Sequence, residues 1–303
     1  MLNKVLRSIA LGRAFRRQPQ LVRACPLCGA TQHRTVCGHD RNFLGLTTVG
    51  CERCRFCFTN PYPDEASIGL FYEDLYRQTV KSEGIPDSHS KEAQSREARK
   101  AYYADLLFTH CPDMHSFLDV GCGDGGLAEA VAARAPHVAI HLIEKNRSFL
   151  AYAEARSKGR GHASLSDLAR AGATLQVVSL IHVLEHFVDP LAVLREIRSM
   201  ANETTRLIID VPDTEAYASL SDIHFSHPSH FCAETLTTAL GLSGFSVVHL
   251  QRHAPPVFPK SLLVVCQPTT AAFSPQFQTH PDLAPVFQRI DSPLGFIRSR
   301  LGL

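Results

Sequence analysis

Ser116-Phe117-Leu118-Asp119-Val120-Gly121-Cys122-Gly123-Asp124-Gly125-Gly126 carries an apolar strand pattern into a glycine-rich turn and then into a helical pattern. Gly121, Gly123 and Gly126 satisfy G-x-G-x-x-G, in which small residues permit a tight turn and close approach of backbone to a ligand. The acidic Glu144 follows near the end of the next strand pattern. This is the geometry of a nucleotide-type cofactor site.

The carboxylates around the turn discriminate between cofactors. A dinucleotide would bring an anionic pyrophosphate to the helix N-terminus, where Asp119 and Asp124 would repel it. S-adenosyl-L-methionine carries no phosphate. Its ammonium and sulfonium groups are attracted by acidic side chains at the strand end, and Glu144 can accept hydrogen bonds from both ribose hydroxyls.

Outward from the turn, strand and helix patterns alternate. Strands are expected at 116–121, 138–144, 175–182, 205–211, 246–250 and 260–266, and helices at 126–135, 147–157, 190–201 and from Ala233 to near Gly244. The alternation predicts an α/β fold, a doubly wound parallel sheet covered on both faces. Asp189-Pro190 is a strong helix start, an N-cap followed by proline at the first helical position. The third strand of the sheet has the weakest signal: Ala163-Ser164-Leu165 hints at it, with Asp167 just beyond. Ahead of this domain, helices are expected from Asp64 to about Tyr76 and from Lys91 to Phe108, with a polar connection between them.

Of 303 residues, 45% are apolar, enough for a sizeable core plus a small attachment. No segment approaches the roughly 20 uninterrupted apolar residues of a membrane span. Residues 1–24 hold Lys4, Arg7, Arg13, Arg16, Arg17 and Arg23 with no acid, which leaves 25 basic and 29 acidic residues elsewhere. The body is therefore acidic, which argues against nucleic acid as a partner. Leu2, Val5, Leu6 and Ile9 recur at helical spacing, so residues 1–17 could form a basic amphipathic helix that touches a membrane surface or simply packs on the main domain. Six of ten cysteines crowd into residues 25–57, unlike a secreted disulfide framework, and a reducing cytoplasm fits best. The organisation expected is a basic segment 1–24, a cysteine-rich module 25–60, a helical connector or lid 61–109, a main domain 110–268 and a tail 269–303.

Taken together, Asp119-x-Gly121-x-Gly123, Glu144, Val183-Leu184-Glu185-His186 with Asp189-Pro190, and Val211-Pro212 resemble a class I S-adenosylmethionine-dependent methyltransferase over about residues 110–268. The resemblance implies a Rossmann-like, seven-stranded, mostly parallel sheet whose last strand, here 260–266, is inserted antiparallel. It also implies that Asp119, Gly121 and Gly123 line the methionine part of the cofactor, that Glu144 meets the ribose, and that Asp167 or Ser166 meets the adenine. His182, at the exit of the fourth strand, would border cofactor and acceptor. Gln176 stands where that strand often begins with an acid.

Cys25-x-x-Cys28 and Cys51-x-x-Cys54, separated by 22 residues, resemble a zinc ribbon ahead of such a domain. Two C-x-x-C knuckles supply four thiolates for tetrahedral Zn2+ and can hold together a segment too short to bury a core. Such a zinc is structural, because four thiolates leave no open coordination position. Cys57 could replace Cys54, and Cys37 with His39 lies in the intervening loop. His182-Val183-Leu184-Glu185-His186 also fits the inverted zinc-protease pattern H-x-x-E-H, but those ligands belong on one helix face and this run continues an apolar strand.

Methyl transfer is an in-line displacement in which the protein positions the acceptor, excludes water and removes a proton where needed. Histidine suits the last task. The candidates are His227, His182, His186 and His230, each weighed against a plain packing role; His227 and His230 fall in a loop leading into the helix at 233. The ribbon and domain together resemble deoxysugar C-methyltransferases, whose His-Glu-His stretch is matched here at His227 alone, with Ser226 in place of the glutamate. C- or O-methylation of a small hydroxylated or sugar-like acceptor is the first expectation. RNA or protein, captured by the ribbon and the basic terminus, is the second.

Overall fold

Alternating apolar residues on short strands, each followed by an amphipathic helix, can bury both faces of a sheet only by winding helices to either side. The computed structural model describes residues 17–41, 45–64, 91–223 and 225–292. The helix expected at 64–76, most of the polar connection behind it, the amphipathic pattern at 2–9 and the apolar end at 294–303 lie outside the described residues.

The N-terminal part contributes five short strands: β1 (Gln20–Leu21), β2 (His33–Cys37), β3 (Thr48–Cys51), β4 (Cys57–Thr59) and β5 (Tyr62–Pro63). The main domain follows as α1 (Lys91–His110), β6 (Ser116–Val120), α2 (Gly126–Arg134), β7 (Ala139–Ile143), α3 (Arg147–Ser157), β8 (Arg160–His162), α4 (Leu165–Arg170) and β9 (Leu175–Ile181). Then come α5 (Pro190–Met200), β10 (Ala201–Pro212), β11 (Ser229–His230), α6 (Ala233–Leu242), β12 (Phe245–His253), β13 (Ser261–Pro268) and α7 (Ala284–Ile290).

Seven of the strands form one sheet in the order β12-β13-β10-β9-β6-β7-β8. Strands β6 to β10 pair in parallel, while β13 runs against both β10 and β12. The expected inserted last strand is thus present. Side chains of period two separate into two cores. Val178 and Leu180 of β9 join Leu118, Ile209 and the α4, α5 and α6 residues Leu168, Leu194 and Leu236, whereas Val177 joins Phe117, Ile208 and the α1, α2 and α3 residues Leu107, Val131 and Ala153. Strand order reverses between β6 and β9, which are direct neighbours at Asp119 and Ser179. An open α/β sheet binds its ligand outside the carboxyl ends of the strands at this point.

The third strand differs from its expectation. It is Arg160–His162, and Ser164 instead caps α4 by accepting from the Asp167 N–H at 3.1 Å, so Ala163-Ser164-Leu165 is a turn and a helix start. Residues 277–292 also hold more structure than a tail: α7 buries Phe287 and Ile290, and Asp291 accepts from the Gly38 N–H at 2.8 Å.

The cysteine-rich part does not sit apart from the main domain. Its antiparallel strands β2, β3 and β4 are extended by β11, which belongs to the chain just before α6. Thr59 N–H donates to the Pro228 carbonyl at 2.9 Å, Tyr62 OH to the Phe225 carbonyl at 2.7 Å, and Phe56 packs on Phe231 at 5.3 Å. Phe231 is 1% exposed in a core shared by both parts. Truncation there removes contacts on two sides, so Phe231→Ala should cost about 3–5 kcal/mol in urea unfolding. A loss under about 1 kcal/mol would show that the two parts share no core.

Candidate active site

The loop after β6 is shaped by close approach. Gly121 has φ +70°, and a Cβ there would lie 2.6 Å from a methyl of Val183, so only glycine fits against the exit of β9. Gly123 has φ +55° with open space where a Cβ would go, leaving its backbone accessible to a ligand. Gly121 N–H donates to the Ile143 carbonyl at 2.7 Å, pinning the loop to the end of β7. Glu144 ties the turn from the other side, accepting from Gly123 N–H at 3.2 Å and Asn146 N–H at 2.8 Å. Asn146 in turn caps α3 through Phe149 N–H.

Asp119 lies on the floor of this loop, 4% exposed, accepting from the Ser179 hydroxyl at 2.7 Å. Burial pushes its carboxyl up to about 7, against the downward pull of the Ser179 hydrogen bond and the positive charge of Arg99; Glu144 and Asp124 push it further up. A buried acid in this state is stabilised in its charged form by an incoming cation.

At the exit of β9, His182 takes φ +55°, uncommon for a residue with a side chain. Its N–H donates to the Asp210 carbonyl at 2.7 Å. The Ser261 hydroxyl donates to the Phe258 carbonyl at 3.0 Å, so its oxygen is left to accept from His182 Nε2 at 3.3 Å. His182 Nδ1 then carries the lone pair, 3.5 Å from Glu185 Oε1. Residues Leu184–His186 form a single 3-10 turn, not the helix that an H-x-x-E-H metallopeptidase needs. Glu185 is 1% exposed, and neither of its oxygens has a hydrogen bond. His227 Nε2 stands 4.0 Å from Glu185 Oε1, and its ring meets that of His186 edge-on at 4.7 Å.

Two of the expected site residues are engaged with partners of their own. His230 is in β11, its ring between Tyr217 and Phe287, and burial pushes it down to about 3, so it stays neutral and packs. Asp167 is inside α4, where it accepts from Ala163 N–H at 3.3 Å and pairs with Arg170 at 3.3 Å; the Ala163 hydrogen bond and the Arg170 pair hold its carboxyl below the usual range.

The sequence reading missed a second buried constellation. Asp210, fully buried on β10, accepts from Tyr103 OH at 2.6 Å and His253 Nε2 at 2.8 Å, and His253 Nδ1 accepts from Tyr102 OH at 2.7 Å. The other oxygen of Asp210 has no hydrogen bond and lies 4.0 Å from His182 Nε2. Arg99 of α1 lies over the rings of Phe258 and Tyr103 at 4.9 and 5.6 Å. These partners are 43 to 151 residues apart in sequence, and no local pattern joins them.

The four cysteines Cys25, Cys28, Cys51 and Cys54 converge, their sulfurs all within 4.8 Å of one another. The pairs Cys25–Cys54 and Cys28–Cys51 are each 3.5 Å apart. Tetrahedral Zn–S bonds of about 2.3 Å place sulfurs about 3.8 Å apart, so the set matches that ion closely. The two knuckles repeat one turn: Gly29 N–H donates to Cys25 O and Arg55 N–H to Cys51 O, both at 2.8 Å, and Gly29 and Arg55 both have positive φ. Cys57 and Cys37 lie outside the set, their thiols directed to the carbonyls of Arg55 and His39.

A family model described as a methyltransferase domain matches residues 91–250. No curated protein matches the sequence. Solved structures similar to the chain include the N,N-8-amino-8-demethyl-D-riboflavin dimethyltransferase of Streptomyces davawensis, at 18% identity over 56% of this chain and 54% of that one, TM-score 0.44. Others are a mitomycin 7-O-methyltransferase, at 16% identity over 58% and 55%, TM-score 0.46, and the magnesium protoporphyrin IX methyltransferase of Synechocystis PCC 6803 with bound SAM, at 17% identity over 70% and 100%, TM-score 0.48. The chain spans about half the length of the first two. Likeness at this level says nothing about the acceptor. With more than half its length matched by the family model, the chain belongs to the methyltransferase-domain family of S-adenosylmethionine-dependent enzymes.

Proposed function

We propose that the chain methylates a small hydroxylated or sugar-like acceptor, held between the exit of β9 and the 225–231 loop. The observation that supports this reading is that Glu185 lies 3.5 Å from His182 on one side and 4.0 Å from His227, which meets His186, on the other, beside Val183, which itself packs on Gly121 of the glycine turn. Asp119 suits the ammonium of S-adenosylmethionine, the open backbone face of Gly123 its close approach, and Glu144 its ribose hydroxyls. Arg99 is proposed to meet the methionine carboxylate, and Asp167 or Ser166, in the first turn of α4 after β8, to meet the adenine edge. Bound there, the cofactor supplies an electrophilic methyl group on sulfur.

The protein's own task is then orientation and proton removal. With the donor bound, these residues would hold the acceptor with its nucleophilic atom facing the methyl group. The acceptor proton passes to His182 Nδ1, where the resulting imidazolium has Glu185 at 3.5 Å and Asp210 at 4.0 Å as counter-charges. His186 and His227 face the acceptor from the outer side.

The Cys25, Cys28, Cys51 and Cys54 set is proposed to hold a structural zinc. Its purpose follows from the strand pairing: β11 closes the acceptor loop onto β4, so the metal holds the wall of the acceptor site. Cys25→Ser should release zinc and abolish methyl transfer while leaving cofactor affinity within about twofold, read by metal analysis and calorimetry. Retained turnover without zinc would contradict this role.

The donor assignment has a pH signature. The Asp119 carboxyl is raised to about 7 without ligand, and an ammonium partner needs it ionised, so affinity should strengthen as pH rises through that value. Between pH 6 and pH 7 the gain should be about fivefold, above which loss of the donor's own ammonium proton opposes it, and Asp119→Asn should weaken binding roughly 10- to 100-fold and remove that rise. A flat wild-type profile would remove Asp119 from the site. Labelled methyl transfer to a panel of hydroxylated small molecules tests the acceptor; transfer to RNA or protein alone would overturn it.

A further inference from the structure

The carboxylate of Glu185 is buried with no hydrogen bond to either oxygen, and among the described residues its ion-pair partners within 4.0 Å are the imidazoles of His182 and His227 alone. A carboxylate taken out of water without hydrogen bonds costs several kcal/mol, and folded chains retain such a group where a cation meets it. Among the described residues no arginine or lysine is paired with it; the nitrogens that approach are imidazoles. Ligand atoms of Glu185, His186 and His227 lie within 4.8 Å of one another, with His186 exposed and His227 half-buried.

We propose that Glu185, His186 and His227 form a second metal site, one for a divalent transition ion such as Zn2+, at the point where the acceptor binds. One carboxylate and two imidazoles suit zinc or iron(II) better than magnesium or calcium, which prefer all-oxygen shells. Bonds of about 2.0–2.2 Å put ligand atoms about 3.4 Å apart, so the three groups would draw in by about 1 Å or less each from their present spacing. Glu185 and His186 are consecutive on one turn, and His227 comes from the facing loop, so closure needs side-chain rotation and no rearrangement of strands.

Unlike the four thiolates near the N-terminus, three ligands leave the ion open on one side, and the exposure of His186 places that side toward solvent. An acceptor oxygen reaching that position would lose its proton more readily. His182, outside the ligand set with its Nδ1 3.5 Å from Glu185, is the group left to take it. This role rests on the acceptor reading above; the binding of the ion does not.

The test is metal content of the untagged full-length chain after zinc loading and gel filtration. Wild type should hold two ions, and Glu185→Gln and His227→Gln one each, with unchanged S-adenosylmethionine affinity by calorimetry as the check of folding. If Glu185→Gln fails to fold, His227→Gln decides. With cobalt in place of zinc, the ion lost in these variants should show no thiolate charge-transfer band in the near ultraviolet, since its ligands are nitrogen and oxygen. A single ion in wild type, or two ions in His227→Gln, would overturn the site. Two ions in wild type with no methyl transfer to any hydroxylated acceptor would uphold the site and sink the acceptor reading.

Discussion

Negative charge withheld from water at the carboxyl ends of the central strands is the constraint on which the rest depends. Asp119 on β6, Asp210 on β10 and Glu185 after β9 are all 4% exposed or less, and among the described residues their hydrogen-bond and ion-pair partners include no lysine or arginine, only the hydroxyls of Ser179 and Tyr103 and the imidazoles of His182, His227 and His253. The sheet order forces them together, because β6, β9 and β10 are consecutive neighbours. A site of this kind is costly without a positive ligand and selective for one with it. The donor's ammonium proposed at Asp119 and the divalent ion proposed at Glu185 would answer the same electrostatic demand, which a phosphate-bearing cofactor would not.

The zinc-ribbon-like part gains a purpose from this arrangement. A segment this short cannot bury a core alone. Here it contributes Phe56 and Phe58 to the main core and lends β4 as a template on which β11 is laid down. Residues after β13 clasp it from the far side, through His280 on the Cys54 carbonyl at 2.7 Å and Asp291 on Gly38. The loop between Phe225 and Phe231 is therefore bounded by hydrogen bonds to the antiparallel sheet of β2, β3 and β4.

Much of the fold was legible where local chemistry and tertiary packing agree. Asn146 and Asp189-Pro190 mark the starts of α3 and α5 because their side chains cap the backbone within three residues, an interaction complete in the local sequence. β9 was legible because Leu175–Ile181 is buried on both faces and reads as a continuous apolar run. β8 was not: Arg160-Gly161-His162 is an edge strand of three residues with no apolar pattern, stabilised by pairing with β7. The glycine turn after β6 and its tie to Glu144 were legible because those residues cluster in sequence. Asp210, His253, Tyr103 and Arg99 were not, since they meet only when β10, β12 and α1 converge, and His253 ends a strand expected to stop at residue 250. The coincidence of Glu185, His186 and His227 likewise needed the loop before α6 to fold back across β9.

The most direct measurement is the titration of the Asp119 carboxyl by 13C NMR, assigned through Asp119→Asn, with and without S-adenosylmethionine. The account predicts a midpoint near 7 in the ligand-free chain, displaced below about 5 when the donor is bound. A midpoint near 4 in the free chain, or one near 7 that the donor leaves unmoved, would contradict it.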